Sequence, residues 1–161
     1  MCPACWGERA VILVPWWLHQ VTACAWHGVL LRQRCAGCAA PLRLVAGREG
    51  CERCGAAIGA MGTRSIAGDA DGVELSALMW RATGCVERPS LAEGLGRAAE
   101  QAVRERGTPG LLQGLWGGAQ AEVARDGGLR LHAREIVDVH EALVAGWRRL
   151  RDGQGLPFPS V

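Results

Sequence analysis

The sequence predicts a mainly α fold carrying a small N-terminal module stabilised by metal: two knuckle or ribbon sites followed by a small helical bundle. Three observations predict it. Seven of the eight cysteines fall within the first 54 residues, all in pairs spaced by two residues. After Cys54 the pairs stop, and apolar residues recur at helical spacing. Between these regions Gly62–Gly72, GTRSIAGDADG, reads as a flexible linker. The expected organisation is a double metal-binding module over 1–61, a linker over 62–72 and a helical domain over 73–161.

The module is built from four pairs: Cys2 and Cys5, Cys24 and His27, Cys35 and Cys38, Cys51 and Cys54. Eight ligands suffice for two tetrahedral Zn²⁺ ions, one held by three cysteines and the histidine, the other by four cysteines. Two ligands separated by two residues face one ion across a tight turn, whose backbone amides can point at the thiolates. Glycine after the second ligand eases a positive φ, and Gly28 and Gly55 occupy such places. Sequential pairing joins Cys2, Cys5, Cys24 and His27, then Cys35, Cys38, Cys51 and Cys54. Cross-braced pairing, first with third and second with fourth, is the alternative. The ribbon-like second half favours the sequential arrangement: Leu42, Leu44 and Ala46 alternate, and Gly47–Gly50 makes the turn. Both sites are saturated by protein ligands, whereas catalytic zinc keeps an open position, so the expected role of the metal is structural. It replaces a core that a short segment with few large aliphatics struggles to build. Trp26 is expected to pack over the first site with Trp6, Trp16 and Trp17, and His19 to be a core or surface histidine.

Composition limits the function classes. All 18 basic residues are arginine, and the net charge is only +2, so no global field advertises nucleic acid. Residues 1–64 hold seven arginines against three glutamates, and ligand deprotonation reduces that formal +4 to about +1. Any basic surface is therefore local, with Arg32, Arg34, Arg43, Arg48 and Arg53 as candidates. The apolar run Ala10–Leu18 is about half of a membrane span and is broken by Pro15. With no secretory signal at the start, the expectation is a cytoplasmic protein whose clustered thiols are ligands rather than disulfides.

The opening CPAC (Cys2–Cys5), PWWLHQVTAC (Pro15–Cys24), CAWHGVLL (Cys24–Leu31), CAGC (Cys35–Cys38) and CERCG (Cys51–Gly55) follow a recognisable order. Met1 to about Arg64 resembles the TniQ family of transposon target-selection proteins in these motifs, their spacing and the flanking tryptophans. Family members usually carry a further segment before the first pair; this sequence opens on the pair itself. The resemblance implies structural zinc and an adaptor activity. The partners it implies are a transposition ATPase of AAA+ type and an RNA-guided complex marking the target, with DNA as a further candidate. It implies no membrane and no small-molecule substrate. The alternative is a general zinc-stabilised protein-interaction module unrelated to transposition.

Four helical stretches are expected beyond the linker. Val73–Thr83 places Leu75, Leu78, Met79 and Ala82 on one face. Ser90–Arg106 opens with a capping box, Ser90 and Glu93, and ends at Gly107. A third begins at Thr108 with Pro109 in its first turn and carries Leu112, Leu115, Trp116, Ala119 and Val123. Gly127-Gly128 stops it. The last, Leu131–Arg151, carries Ile136, Val139, His140, Leu143, Trp147 and Leu150. The third and fourth are the best helix-turn-helix candidates, with Arg130, Arg134, Arg148, Arg149 and Arg151 as phosphate contacts. Their alternation with Glu135, Asp138 and Glu141 reads more simply as a solvated face. No His-Glu-x-x-His, Walker loop or nucleophile elbow is present, and Cys85 is a lone thiol, so no enzyme is expected.

Overall fold

A computed structural model describes residues 1–9, 13–17, 20–43, 45, 47–83, 97–125 and 135–154. The predicted Ser90–Glu93 capping box, Cys85, His19, Leu44, Ala46 and the Gly127-Gly128 turn lie outside them, as do Arg130, His132 and Arg134. Helix α1 (Pro3–Arg9) opens the chain, with Pro3 at its first position, where the missing amide hydrogen costs nothing. A 3₁₀ turn at Val14–Trp17 follows, then a minimal antiparallel hairpin of β1 (Ala23–Cys24) and β2 (Val29–Leu30). A second 3₁₀ turn covers Ile58–Ala60. Helices α2 (Ala70–Ala82), α3 (Arg97–Arg125) and α4 (Ile136–Arg151) complete the described elements. About half of the chain is thus helical, with its cysteine-rich part at the N-terminus.

One local shape is repeated three times. The amides of Gly28, Ala39 and Gly55 donate to the carbonyls of Cys24, Cys35 and Cys51 at 2.9, 3.0 and 2.9 Å. The same three residues have positive φ, at 59°, 57° and 72°. Each turn then closes on the residue five positions after its first ligand: Cys24 pairs with Val29, and the amides of Cys35 and Cys51 donate to the carbonyls of Ala40 and Ala56. This is the knuckle the pair spacing predicts. The first pair differs because Cys2 and Cys5 sit at the start of α1, where the Trp6 amide bonds the Cys2 carbonyl.

The two halves of the module are locked together by close backbone approach. Gly7 of α1 and Gly59 of the second 3₁₀ turn meet so closely that a Cβ on Gly59 would lie 2.7 Å from the Gly7 Cα. The Trp6 indole donates to the Arg48 carbonyl at 2.7 Å and packs on Trp16, with ring centroids 6.2 Å apart.

The stretch expected to be a flexible linker is instead part of the module over its first half. The Leu30 amide donates to the Arg64 carbonyl, the Ile66 amide to the Gly28 carbonyl, and the Thr63 hydroxyl to the Leu30 carbonyl. Val29 bridges Ser65, and Ile66 is buried beside Ala23 and Leu30. The open edge of a two-stranded hairpin has unpaired amides and carbonyls, and residues 63–66 satisfy them. Helix α2 then begins at Ala70, earlier than Val73.

Helices α2, α3 and α4 pack on one another in all three pairings. On α2, Leu75, Leu78 and Met79 are buried as expected, but Ala82 is exposed and Trp80 is buried in its place. Helix α3 breaks at Gly107 (φ 64°, ψ 157°), which separates the two stretches expected there. Its second part buries Leu111, Leu115 and Ala119. Helix α4 buries Val139, His140, Leu143 and Trp147. Apart from His140, these residues share one contiguous apolar cluster with most of the buried cysteine-rich part, running from Cys2 and Trp6 through Trp80 to Leu115 and Trp147, while Ala23, Leu30 and Ile66 form a second. Among the described residues no helix is long and apolar enough to cross a membrane.

Candidate metal centres

Each cluster is assembled from two turns. Helix α1 delivers Cys2 and Cys5, and the β1–β2 knuckle delivers Cys24 and His27; their ligand atoms all lie within 4.8 Å of one another. Cys35 and Cys38 meet Cys51 and Cys54 in the same way. The gathering is sequential; the cross-braced alternative is not the arrangement seen. All eight sequence-predicted ligands are therefore brought into two groups of four.

The geometry fits a tetrahedral cation. A metal–sulfur bond of about 2.3 Å gives a sulfur–sulfur edge of roughly 3.8 Å, and a nitrogen–sulfur edge of roughly 3.5 Å. Here Cys5 Sγ and Cys24 Sγ are 3.6 Å apart, as are Cys35 and Cys54, and Cys38 and Cys51. His27 Nδ1 lies 3.6, 3.3 and 3.6 Å from the sulfurs of Cys2, Cys5 and Cys24. These separations are far too long for disulfides.

The electrostatics point the same way. Hydrogen bonds from Cys24 and then Cys5 hold the Cys2 thiol well below its ordinary range. The bond to Cys2 correspondingly pushes Cys5 and Cys24 up. Three thiols this close cannot all ionise unaided, and a divalent cation among them removes that conflict. In the second cluster, the backbone amides of Cys54 and then Arg53 draw Cys51 down to about 6. The Gly37 amide likewise donates to Cys35 Sγ at 3.3 Å. The knuckle turns thus stabilise thiolates as well as positioning them.

The surroundings of the two clusters differ. Cys2, Cys5 and Cys24 are buried, whereas in the second cluster Cys38 is half-buried and Cys54 exposed. The first cluster also has a partner that the pair spacing did not reveal. Glu8 Oε1 accepts a hydrogen bond from His27 Nε2 at 2.9 Å, fixing the tautomer that turns the Nδ1 lone pair toward the sulfurs. The spacing Cys2, Cys5, Glu8 was the available signal, since residues three apart share one side of a helix and α1 starts directly after Cys2.

Other singled-out residues are placed differently from expectation. Trp26 packs against Trp80 of α2, with ring centroids 5.2 Å apart, rather than completing a cluster with Trp6 and Trp16. Trp80 in turn donates its indole hydrogen to the Ala23 carbonyl at 2.9 Å. Arg148 and Arg151, candidate phosphate contacts, pair with Asp71, and Arg148 also with Asp69 at 2.9 Å. Arg148, the main hydrogen-bonding partner, and Arg151 hold the Asp71 carboxyl below the ordinary carboxylate range. Of the module's arginines, Arg34 pairs with Glu135, while Arg43 and Arg48 pair with Glu52.

No protein-family model matches the chain, and no curated protein or solved structure matches it.

Proposed function

We propose that the chain is a non-catalytic adaptor whose two zinc ions serve as scaffolding for a recognition surface. Cys2, Cys5, Cys24 and His27 would hold one ion, and Cys35, Cys38, Cys51 and Cys54 the other. The observation that carries this is the completeness of both donor sets. Four protein ligands at tetrahedral spacing leave no coordination position for water or substrate, which suits architecture rather than hydrolysis. When bound, zinc would supply folding energy to a module whose regular hairpin has only two residues per strand. Pairwise packing of α2, α3 and α4 supports reading them as a small helical bundle.

The order and spacing of the pairs further support a TniQ-like role in the cytoplasm. In that role the chain links target DNA, or a target-bound complex, to the transposition ATPase. The test is co-purification of the tagged, metal-loaded chain with an AAA+ ATPase and transposase encoded beside it. Retention of the ATPase supports the role; an unlinked gene and no retention would remove it.

A second reading, a zinc-stabilised protein-interaction module outside transposition, is favoured by charge. The net charge is +2, and Arg148 and Arg151 are engaged by Asp69 and Asp71 rather than presented outward. Zinc scaffolding is common to both readings.

A further inference from the structure

Where residues 30–34 of the module run beside residues 63–64 and the start of α4, a groove of about 190 Å³ opens to solvent. Three arginines line it: Arg32, Arg34 and Arg64. Arg32 is half-buried and held by two carbonyls, its Nε donating to Gly62 at 3.0 Å and its Nη1 to Arg34 at 3.3 Å. Among the described residues it has no carboxylate partner. A partly desolvated guanidinium, oriented and without a counter-charge, is matched to an incoming carboxylate. Arg34 and Arg64 have carboxylate partners, Glu135 and Glu141, but more than half of each of these side chains is exposed. Such surface pairs contribute little and are readily exchanged for a ligand.

We propose that this groove binds an acidic peptide segment of a partner protein, one carboxylate meeting Arg32 and a neighbouring apolar side chain lying beside Ile136. The walls decide between a peptide and nucleic acid. Leu30 and Leu31 line the groove but are almost wholly buried, so half-buried Ile136 supplies its apolar contact, which a peptide side chain can use and a phosphodiester backbone cannot. The net charge of +2 supplies no long-range field of the kind that nucleic-acid binding relies on. The inference rests on the adaptor reading in taking the partner to be a protein.

The test is fluorescence anisotropy on the intact, metal-loaded chain. The probes are a dye-labelled hexapeptide of alternating glutamate and leucine, its glutamine counterpart and a short DNA duplex. Saturable binding of the glutamate peptide is expected, weaker by about tenfold or more for the glutamine peptide and for Arg32→Gln. Arg64→Gln alters only an exposed side chain, so it decides the matter if Arg32→Gln does not fold; a several-fold loss is expected. Equal binding of the two peptides, wild-type affinity in the folded variants, or displacement of the peptide by the duplex would each overturn the proposal. Retention of the ATPase in the co-purification would still stand in that event, so the two failures are separable.

Discussion

His27 Nε2 and Glu8 Oε1 are 2.9 Å apart, which places a carboxylate directly behind the one imidazole of the first cluster. The pair links α1 to the β1–β2 knuckle on the side opposite the sulfurs. A carboxylate accepting the Nε2 hydrogen orients the ring and holds Nδ1 as the free donor atom facing the sulfurs. Glu8→Ala is therefore expected to weaken metal binding at the first cluster by about tenfold, the lower end of the usual range, because the Glu8 side chain is 47% exposed. Competition with a chromophoric chelator measures it. Unchanged affinity would show that the pair is incidental.

Cys38→Ser removes one donor from the second cluster and leaves the first intact. Zinc content, measured by elemental analysis, is expected to fall from two ions to one per chain, because the remaining three thiols lose a closed tetrahedron. Equal zinc in variant and wild type would mean that the second group of four is not a metal site.

Ala39 holds the left-handed conformation that glycine holds in the two sister knuckles, with φ 57° against 59° at Gly28 and 72° at Gly55. A side chain in that region costs roughly 1–2 kcal/mol, part of which glycine loses again through its freer unfolded chain. Ala39→Gly is expected to stabilise the protein by up to about 1 kcal/mol, read as a rise in melting temperature at constant zinc. A fall would mean that the knuckle does not carry this strain.

Much of the metal region was legible from the sequence because its determinants are local. Spacing by two residues sets a knuckle, and glycine after the second Cys or His marks its turn, so the membership of both groups of four and two of the three left-handed positions could be read directly. The helix break at Gly107 and the buried face of α4 were legible for the same reason, one from backbone freedom and the other from periodicity. What escaped depends on distant partners. Residues 63–66 look like a linker until the open edge of β2 is known to need them. Arg148 and Arg151 look solvated until Asp69 and Asp71 are brought up from the start of α2. Trp26 sits inside a knuckle, yet its packing partner, Trp80, lies on a helix outside the module.

That last contact predicts cooperativity. Trp80 is 2% exposed, packs against Trp26 at a tilt of 52° and donates to the Ala23 carbonyl, so it ties α2 to the strand that carries Cys24. Trp80→Ala is expected to cost about 3–5 kcal/mol. Because module and helices share one apolar cluster, stripping metal with a chelator is also expected to reduce helical circular dichroism, in a single transition with the loss of tryptophan fluorescence. Helices that survive chelation unchanged would show two independent folding units.

His140 predicts how stability responds to acid. Its Nδ1 bonds the Thr22 hydroxyl at 2.8 Å, and its Nε2 is buried without a partner among the described residues. Burial lowers its pKa below the ordinary 6.5, with Arg64 adding to the shift and Asp69 and Glu141 opposing it. A histidine whose folded pKa is depressed takes up a proton more readily when unfolded. Its contribution is therefore fully present above about pH 6.5 and is lost as pH falls through the lowered folded value. Acid also weakens thiolate–metal binding, so the informative quantity is a difference between variants. His140→Asn keeps a polar group at the Nδ1 position facing the Thr22 hydroxyl and cannot titrate. Its melting temperature is expected to fall less than that of the wild type between about pH 7.5 and about pH 5.5 at matched zinc content. Parallel pH profiles for the two proteins would show that His140 contributes nothing to the acid sensitivity.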